Sequence, residues 1–362
     1  MSYPFAKYLE SSLLLQEIAQ QPELWEDTLQ RVDLFLSGRE KFPKRVILTG
    51  AGTSAYAGQS VASAWPGACA IATTDLMLLS SAEIESRLPG VVEGGLLISI
   101  ARSGDSPESA GVVQRFKDLF PAVRHLVITC NAEGRLAQMP DVDVLTLSPR
   151  TNDRSLAMTG SFSSLTLAGL ALMHLDVLRE HLPKICVAMR NQVESMFGIA
   201  QEMVSNGASR FVVLTSIMPS LSTETTLKVM ELTAGRNQGM TESFLGFRHG
   251  ANSILRAEIP VLCFVSSDPL KRRYESELVY DLRQRGIENV CLVGQDEALS
   301  WPHRWWVPSL APLLADVLRV PFEVVFAQLF AYASSVQAGV DPDDPSPGGE
   351  VTRVVRPFQV HA

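Results

Sequence analysis

The sequence has little positive charge to offer a polyanion. Its 362 residues include 31 Lys and Arg against 39 Asp and Glu, which gives a net charge of −8. Binding to a nucleic-acid backbone depends on clustered basic side chains, so we expect no nucleic-acid partner. A single basic cluster is interpreted as the solvated face of a surface helix; it comprises Lys271, Arg272, Arg273, Arg283 and Arg285.

The sequence also has no uninterrupted apolar run of about 18 residues, the length that a membrane-spanning helix requires. The start, Met1 to Pro4, lacks the basic and apolar regions of a secretion signal. The 5 cysteines are widely spaced, and the 6 histidines show no H-x-x-x-H or His/Cys pairing. We therefore expect a cytoplasmic protein with reduced thiols, no membrane span, no metal site and no cofactor.

The chain does have enough apolar residues for a large core, because 46% of its residues are hydrophobic and 19% are charged. Short apolar runs alternate with helix-length segments, a pattern typical of a parallel sheet covered on both faces. The predicted fold is α/β, with two doubly wound lobes joined by an apolar helix over 160–205. Strands are predicted at 45–49, 95–100, 125–130, 142–147, 210–216, 260–266, 289–293 and 305–308, and second-lobe helices near 222–235, 270–285 and 311–338. The predicted domains are N-terminal helices at 1–40, lobes at 41–195 and 196–338, and a C-terminal tail at 339–362.

Two turns in the first lobe indicate a phosphate-binding site. A strand ending at Thr49 leads through Gly50–Ser54 into a helix, and the strand at 95–100 leads through Ser103–Ser106 into another. A glycine-rich turn into a helix directs free N–H groups and the positive helix end toward an anion. Ser106 is a favourable N-cap and Pro107 suits the first helical position. The residues predicted to bind the anion are Gly52, Thr53, Ser54, Ser103, Gly104 and Ser106.

Neither turn matches a P-loop or the G-x-G-x-x-G dinucleotide motif. In the second lobe, the strand at 210–216 is followed by Ile217-Met218-Pro219, without a glycine turn. We therefore predict the phosphate site in the first lobe only.

A charged helix in the second lobe is the candidate acid–base machinery. Glu224, Lys228 and Glu231 have the spacing i, i+4, i+7, which places them on one helical face. His249 follows in a loop between Arg248 and Gly250. Taken alone, the helix could be an ordinary exposed face with ion pairs, and the histidine could be structural.

These segments together resemble a known family. The resemblance rests on Gly50–Ser54, Arg102–Ser109, Asn152–Thr159, Glu224–Gly235, Gly246–Gly250 and the tail from Pro342 to Val355. They are similar to the sugar-isomerase (SIS) domain superfamily. More closely, they resemble the tagatose-6-phosphate ketose/aldose isomerase family, whose members are also described as galactosamine-6-phosphate deaminases.

The resemblance implies two tandem SIS domains and a homodimer with a shared active site. It implies that Ser54, Ser103 and Ser106 hold the phosphate of a sugar, and that Glu231 moves a proton between C1 and C2. Glu224, Lys228 and His249 would serve ring opening, with the histidine supplied by the neighbouring subunit. Ala157 and Arg353 lie in matching segments and are predicted to face the substrate. Arg102 is also predicted to do so, although Ala101-Arg102 stands where the related glucosamine-6-phosphate synthase has a Ser-Gln pair.

The function expected from these residues is conversion of an amino-sugar 6-phosphate, such as galactosamine-6-phosphate, to a ketose 6-phosphate and ammonia. The synthase carries a glutaminase domain that supplies ammonia; this chain leaves no room for one, which favours release of ammonia over its addition. Simple aldose–ketose isomerisation and deglycation of a fructosamine phosphate remain alternatives. A sugar-phosphate sensor without catalysis is a further alternative, which would not need Glu231 or His249.

Overall fold

The fold is described from a computed structural model covering residues 5–216, 218–294 and 301–361. The chain divides into two compact units, each containing one sheet. The first-sheet unit comprises Glu23–Arg154, Gly160–Leu182 and Gly349–Ala362. The second-sheet unit comprises Met1–Pro22, Ser155–Thr159 and Pro183–Gly348. The predicted boundary between the lobes, at 195 and 196, falls within one helix, Gly160–Val204; the predicted domain limits stay predictions.

The first sheet has five parallel strands. Its central strand and one neighbour of that strand are fully buried, as is typical of a parallel sheet with helices on both faces. The strands are β1 (Val46–Thr49), β2 (Ala68–Ala70), β3 (Leu96–Ala101), β4 (Arg124–Thr129) and β5 (Asp143–Thr146). Their order is β2-β1-β3-β4-β5, and every neighbouring pair is parallel.

The second sheet repeats this topology. Its strands are β6 (Arg210–Thr215), β7 (Gln238–Glu242), β8 (Val261–Phe264), β9 (Val290–Val293) and β10 (Trp305–Val307). The order β7-β6-β8-β9-β10 places the first strand between the second and third, as in the first sheet. All pairs are again parallel. The predicted α/β class with two doubly wound parallel sheets is therefore confirmed.

The helices occur at most of the places that the hydrophobic pattern predicts. They are α1 (Phe5–Ser11), α2 (Leu13–Ala19), α3 (Gln21–Leu36), α4 (Thr53–Ala64), α5 (Thr73–Leu78), α6 (Ser81–Arg87), α7 (Pro89–Val92), α8 (Pro107–Leu119), α9 (Gly160–Val204), α10 (Pro219–Leu232), α11 (Phe244–Phe247), α12 (Pro269–Gln284) and α13 (Asp316–Gln337). Short 3-10 turns lie at Pro149–Thr151 and Gly250–Ile254. The kink in α9 is at His174, where φ is −127° and ψ is 27°.

The structure adds two edge strands that were not predicted, β2 and β7. The strand β2, Ala-Cys-Ala, is too short to be recognised as a strand, and β7, Gln-Gly-Met-Thr-Glu, has no apolar run. The catalytic-helix candidate α10 begins at Pro219 rather than near residue 222, because proline is well accommodated at the first helical position.

Among the residues that the structure describes, two helices are long and apolar enough to pass a length-and-composition test for a membrane span. They are α9, with a mean hydropathy of 1.4, and α13, with 1.3. The apolar windows are 72% and 94% buried within the protein, as the core helices of a globular protein also are. The test is therefore weak support for membrane insertion.

Candidate active site

The two predicted phosphate-binding turns leave neighbouring strands of the first sheet. The strands β1 and β3 are parallel neighbours, with Thr49 opposite Ser99. Their carboxyl ends therefore lie at the same sheet edge, where the strand order reverses. In open α/β sheets this switch point is the usual place for a ligand.

The first turn brings the start of α4 to this edge. Gly52 occupies the N-cap position with a positive φ of 55°, a conformation that favours glycine. No side chain caps the helix, and Thr53 and Ser54 lie in its first turn. Both hydroxyl residues are almost buried, 4% and 5% exposed.

The second turn brings the start of α8 to the same edge. Ser106 occupies the N-cap position, as predicted, but its side chain makes no capping hydrogen bond. Its Oγ instead shares a 2.9 Å hydrogen bond with Ser109 Oγ. Gly104 adopts a positive φ of 73°. The helix starts of α4 and α8 thus both lack a side-chain cap, which leaves the terminal N–H groups suited to an anion.

A loop after β4 holds the second turn in place. Asn131 Nδ2 donates to Ser103 O over 2.9 Å, and Leu136 N donates to Gly104 O over 2.9 Å. Gly134 approaches so closely that a Cβ there would lie 2.1 Å from Ser103 O. No local sequence pattern predicts this support, because the residues that make it lie about thirty positions apart.

Arg102 and Arg353, both predicted to face the substrate, are joined to each other. The Arg102 guanidinium donates to the main-chain carbonyl of Arg353. Arg353 Nε donates to Asp153 O over 2.7 Å, and its Nη2 donates to Asn152 Oδ1 over 2.6 Å. Beyond Arg353 the tail contacts α8, where a Cβ on Gly111 would lie 3.1 Å from Val360 Cγ1. In this structure the two arginines fasten the C-terminal tail within the first-sheet unit.

The charged face of α10 is mostly buried in the second-sheet unit. Lys228 Nζ lies 3.6 Å from Glu224 Oε1 and donates a hydrogen bond to Glu231 Oε2. The side chains of Glu224 and Lys228 are 0% and 1% exposed, whereas Glu231 is 22% exposed. The three residues predicted to share a face therefore do so, and Glu231 is the member that is partly exposed to solvent. The alternative of an ordinary exposed face is wrong for Glu224 and Lys228.

The other two predicted residues of this unit differ in exposure. His249 is exposed, in the connection between α11 and the Gly250–Ile254 turn. Phe244 and Phe247 anchor α11 in the core, so the backbone beside the histidine is firmly placed. Ala157 is 1% exposed, and its carbonyl accepts a hydrogen bond from Ser155 Oγ. Ser155 Oγ also donates to the Glu17 carboxylate.

The cysteines form no disulfide bond, and the described residues contain no cluster of potential metal ligands. The five cysteines are free, and burial raises the pKa of Cys130 to about 12. Over 5–216, 218–294 and 301–361, no group of three or more His, Cys, Asp or Glu side chains could hold a metal ion.

Comparison with known proteins shows the class of protein to which this fold belongs. A solved structure from Clostridium novyi NT, provisionally named a tagatose-6-phosphate ketose/aldose isomerase, superimposes with a TM-score of 0.84. It is 31% identical, and the match covers 100% of both chains. Together with the two parallel sheets of this topology, the match shows an SIS-domain enzyme of the phosphosugar isomerase and deaminase class.

Curated relatives specify the family. The D-galactosamine-6-phosphate deaminase AgaS of Shewanella sp. strain ANA-3 is 32% identical, over 96% of this chain and 91% of its own length. A Streptomyces coelicolor relative, also named AgaS, is 36% identical over 96% of this chain and 95% of its own length. No protein-family model matches the chain. The chain belongs to the AgaS family of SIS-domain enzymes, which confirms the resemblance seen in the sequence.

Proposed function

We propose that this enzyme converts galactosamine-6-phosphate and water to tagatose-6-phosphate and ammonia. The observation that carries the proposal is the buried ion-pair arrangement on α10, in a chain 36% identical to an AgaS relative. A protein that only senses a sugar phosphate does not need a buried Lys228 paired with the partly exposed carboxylate of Glu231. The accessible carboxylate is what proton transfer needs.

The phosphate group is proposed to bind at the turns of the first-sheet unit. The uncapped starts of α4 and α8 supply main-chain N–H groups, and Ser54, Ser103 and Ser106 supply hydroxyl donors. Gly52, Thr53 and Gly104 shape these turns. A doubly charged phosphate is stabilised by such donors together with two helix dipoles.

Glu231 is proposed as the base that moves the proton between C2 and C1. Removal of the C2 proton from the open-chain amino sugar, with protonation of the C1 carbonyl oxygen, gives an enolamine. Return of the proton at C1, with loss of one proton from the amino group, gives an imine at C2. Addition of water to that imine releases ammonia and leaves the C2 carbonyl of the ketose. Lys228 holds the Glu231 carboxylate at one orientation, and Glu224 balances the buried lysine charge. We propose that Glu224 and Lys228 position Glu231, since neither side chain is exposed to reach the sugar.

His249 is proposed to assist ring opening, because an imidazole can both give and accept a proton near neutral pH. We also propose a cytoplasmic homodimer in which His249 acts on the partner subunit's substrate. Two observations support the dimer: His249 is exposed, and the apolar side chains of Met230 and Leu245, near the catalytic residues in sequence, are 45% and 49% exposed. Burial of these apolar side chains between two subunits would remove their exposed area from water.

Plain isomerisation is the second candidate function. The Clostridium novyi NT structure is named for that activity, and the same proton transfer on a substrate with a C2 hydroxyl would give an aldose–ketose exchange. Deglycation of a fructosamine phosphate would use a similar site, without a specific observation in its favour.

The test is to incubate the purified enzyme separately with galactosamine-6-phosphate, glucosamine-6-phosphate and tagatose-6-phosphate. Ammonia release and ketose formation are measured together. We expect ammonia and ketose in equal amounts from galactosamine-6-phosphate. Ketose–aldose exchange from tagatose-6-phosphate, with no ammonia from either amino sugar, would establish the isomerase instead. The Glu231→Gln variant serves as the control for contaminating activity.

A further inference from the structure

The second sheet has a connection equivalent to the second phosphate-binding turn. Because the strand orders match, the link from β8 to α12 corresponds to the link from β3 to α8. The first-sheet turn contains Ser103, Asp105 and Pro107; the second-sheet turn contains Ser266, Asp268 and Pro269. Each turn thus has a serine after the strand, an aspartate and a proline at the first helical position.

In the second sheet a carboxylate of the chain itself fills this turn. Asp316, the first residue of α13, accepts a hydrogen bond at Oδ2 from Ser266 Oγ over 2.6 Å. Its Oδ1 accepts from Ser267 N and Ser267 Oγ, each over 2.8 Å. Arg319 Nη1 donates to the same oxygen over 2.9 Å. Two hydroxyls, one main-chain N–H and one guanidinium are the donors that commonly hold an oxyanion.

The surroundings keep this carboxylate charged and enclosed. Asp316 is 6% exposed and Arg319 is 0% exposed. Burial alone would raise the pKa of Asp316, but hydrogen bonds from Ser266 and Ser267, with the Arg319 charge, lower it below its ordinary value. Arg319 also donates to Glu323 Oε1 over 3.1 Å. Burial raises the pKa of the neighbouring Glu275 to about 7.

We propose that the second-sheet unit retains an oxyanion-binding turn at Ser266–Ser267 and that Asp316 occupies it as an internal ligand. The site takes a carboxylate or a similar small oxyanion. The two turns therefore share a serine, an aspartate and a proline but differ at the helix start. Asp268 caps α12 and Asp316 fills its turn, whereas α8 has no side-chain cap and its turn is the one proposed to take the phosphate of a substrate. This inference does not depend on which sugar phosphate the enzyme uses.

If Asp316 occupies an oxyanion site, a small oxyanion from solution should be able to replace its carboxylate. An ordinary ion pair would not be restored in this way. Asp316→Ala removes a carboxylate and leaves its donors in place, and formate has the composition of the group removed. We expect the melting temperature of Asp316→Ala to fall by roughly 10 °C, because a buried charged network loses one member. Sodium formate should restore most of that loss, whereas sodium chloride at equal ionic strength should not.

Wild type and Glu277→Ala are the controls, since Glu277 is an exposed acidic residue on α12. Equal formate effects on all three proteins would overturn the proposal, as would no formate effect on Asp316→Ala. Asp316→Asn covers the case in which the alanine variant fails to fold. The asparagine amide fills the space of the carboxylate, so formate cannot enter. Its N–H groups face the donors of Ser266, Ser267 and Arg319, so we expect a lowered melting temperature that formate does not restore. A wild-type melting temperature in Asp316→Asn would also contradict the inference.

Discussion

Replacement of Glu231 by glutamine should separate proton transfer from substrate binding. Glutamine keeps the shape of the side chain and loses the base. Lys228 remains buried but keeps Glu224 as a counter-charge 3.6 Å away, so we expect the variant to stay folded. The loss of a general base lowers the rate by roughly 10²- to 10⁴-fold. At about 1.36 kcal/mol per factor of ten, this raises the activation free energy by about 2.7–5.4 kcal/mol.

The loss should appear in kcat, with KM little changed, because the phosphate-binding turns are untouched. Ammonia release at several galactosamine-6-phosphate concentrations gives both constants, and thermal unfolding checks that the variant is folded. Glu277→Gln, which changes an exposed carboxylate on α12, is the matched control. A near-normal kcat in a folded Glu231→Gln protein would refute the assignment of Glu231 as the base.

Other outcomes test the remaining assignments. Ser54→Ala and Ser106→Ala should each raise KM for the phosphorylated sugar by roughly 10- to 100-fold, the value of a hydrogen bond to a charged group; an unchanged KM would exclude these hydroxyls from the phosphate site. Mixing inactive His249→Ala and Glu231→Gln chains should restore roughly a quarter of wild-type activity if each site takes its histidine from the partner; no recovery after verified subunit exchange would mean that His249 acts within its own chain. Arg353→Ala should make the tail more sensitive to limited proteolysis, and Arg353→Lys should not rescue it, because lysine lacks the planar fork that reaches several acceptors at once; wild-type cleavage rates in Arg353→Ala would contradict the fastening role.

The core strands were predictable because parallel strands buried on both faces are continuous apolar runs. Every residue of β1, β3, β8 and β9 is buried, and the apolar runs in the sequence predict a strand at each of these places. The missed strands β2 and β7 lie at the sheet edges, where burial on two faces is not required. None of their residues is fully buried; β2 is only three residues long, and β7 is mostly polar, so neither has a recognisable run of apolar residues.

For the candidate site, the spacing of residues along the sequence predicts which side chains share a helical face, but not how exposed each one is. The i, i+4, i+7 pattern placed Glu224, Lys228 and Glu231 together, but it could not show which carboxylate is exposed. That depends on tertiary packing around α10. The contact of Arg353 with Asn152 joins residues 201 positions apart, and no spacing rule predicts such a pair.

The close approach of Gly134 to Ser103 has a consequence for how this sequence can vary over time. A single-base change in a glycine codon that alters the residue always introduces a larger one, and any Cβ at position 134 would meet a main-chain oxygen 2.1 Å away. A main-chain atom cannot rotate aside as a side chain can, so the change would displace the turn that is proposed to bind phosphate. We therefore expect every substitution that a single-base change can produce at position 134 to disturb this turn. Across homologues that use this turn, a residue outside every ligand-binding motif should be as invariant as the serines it supports.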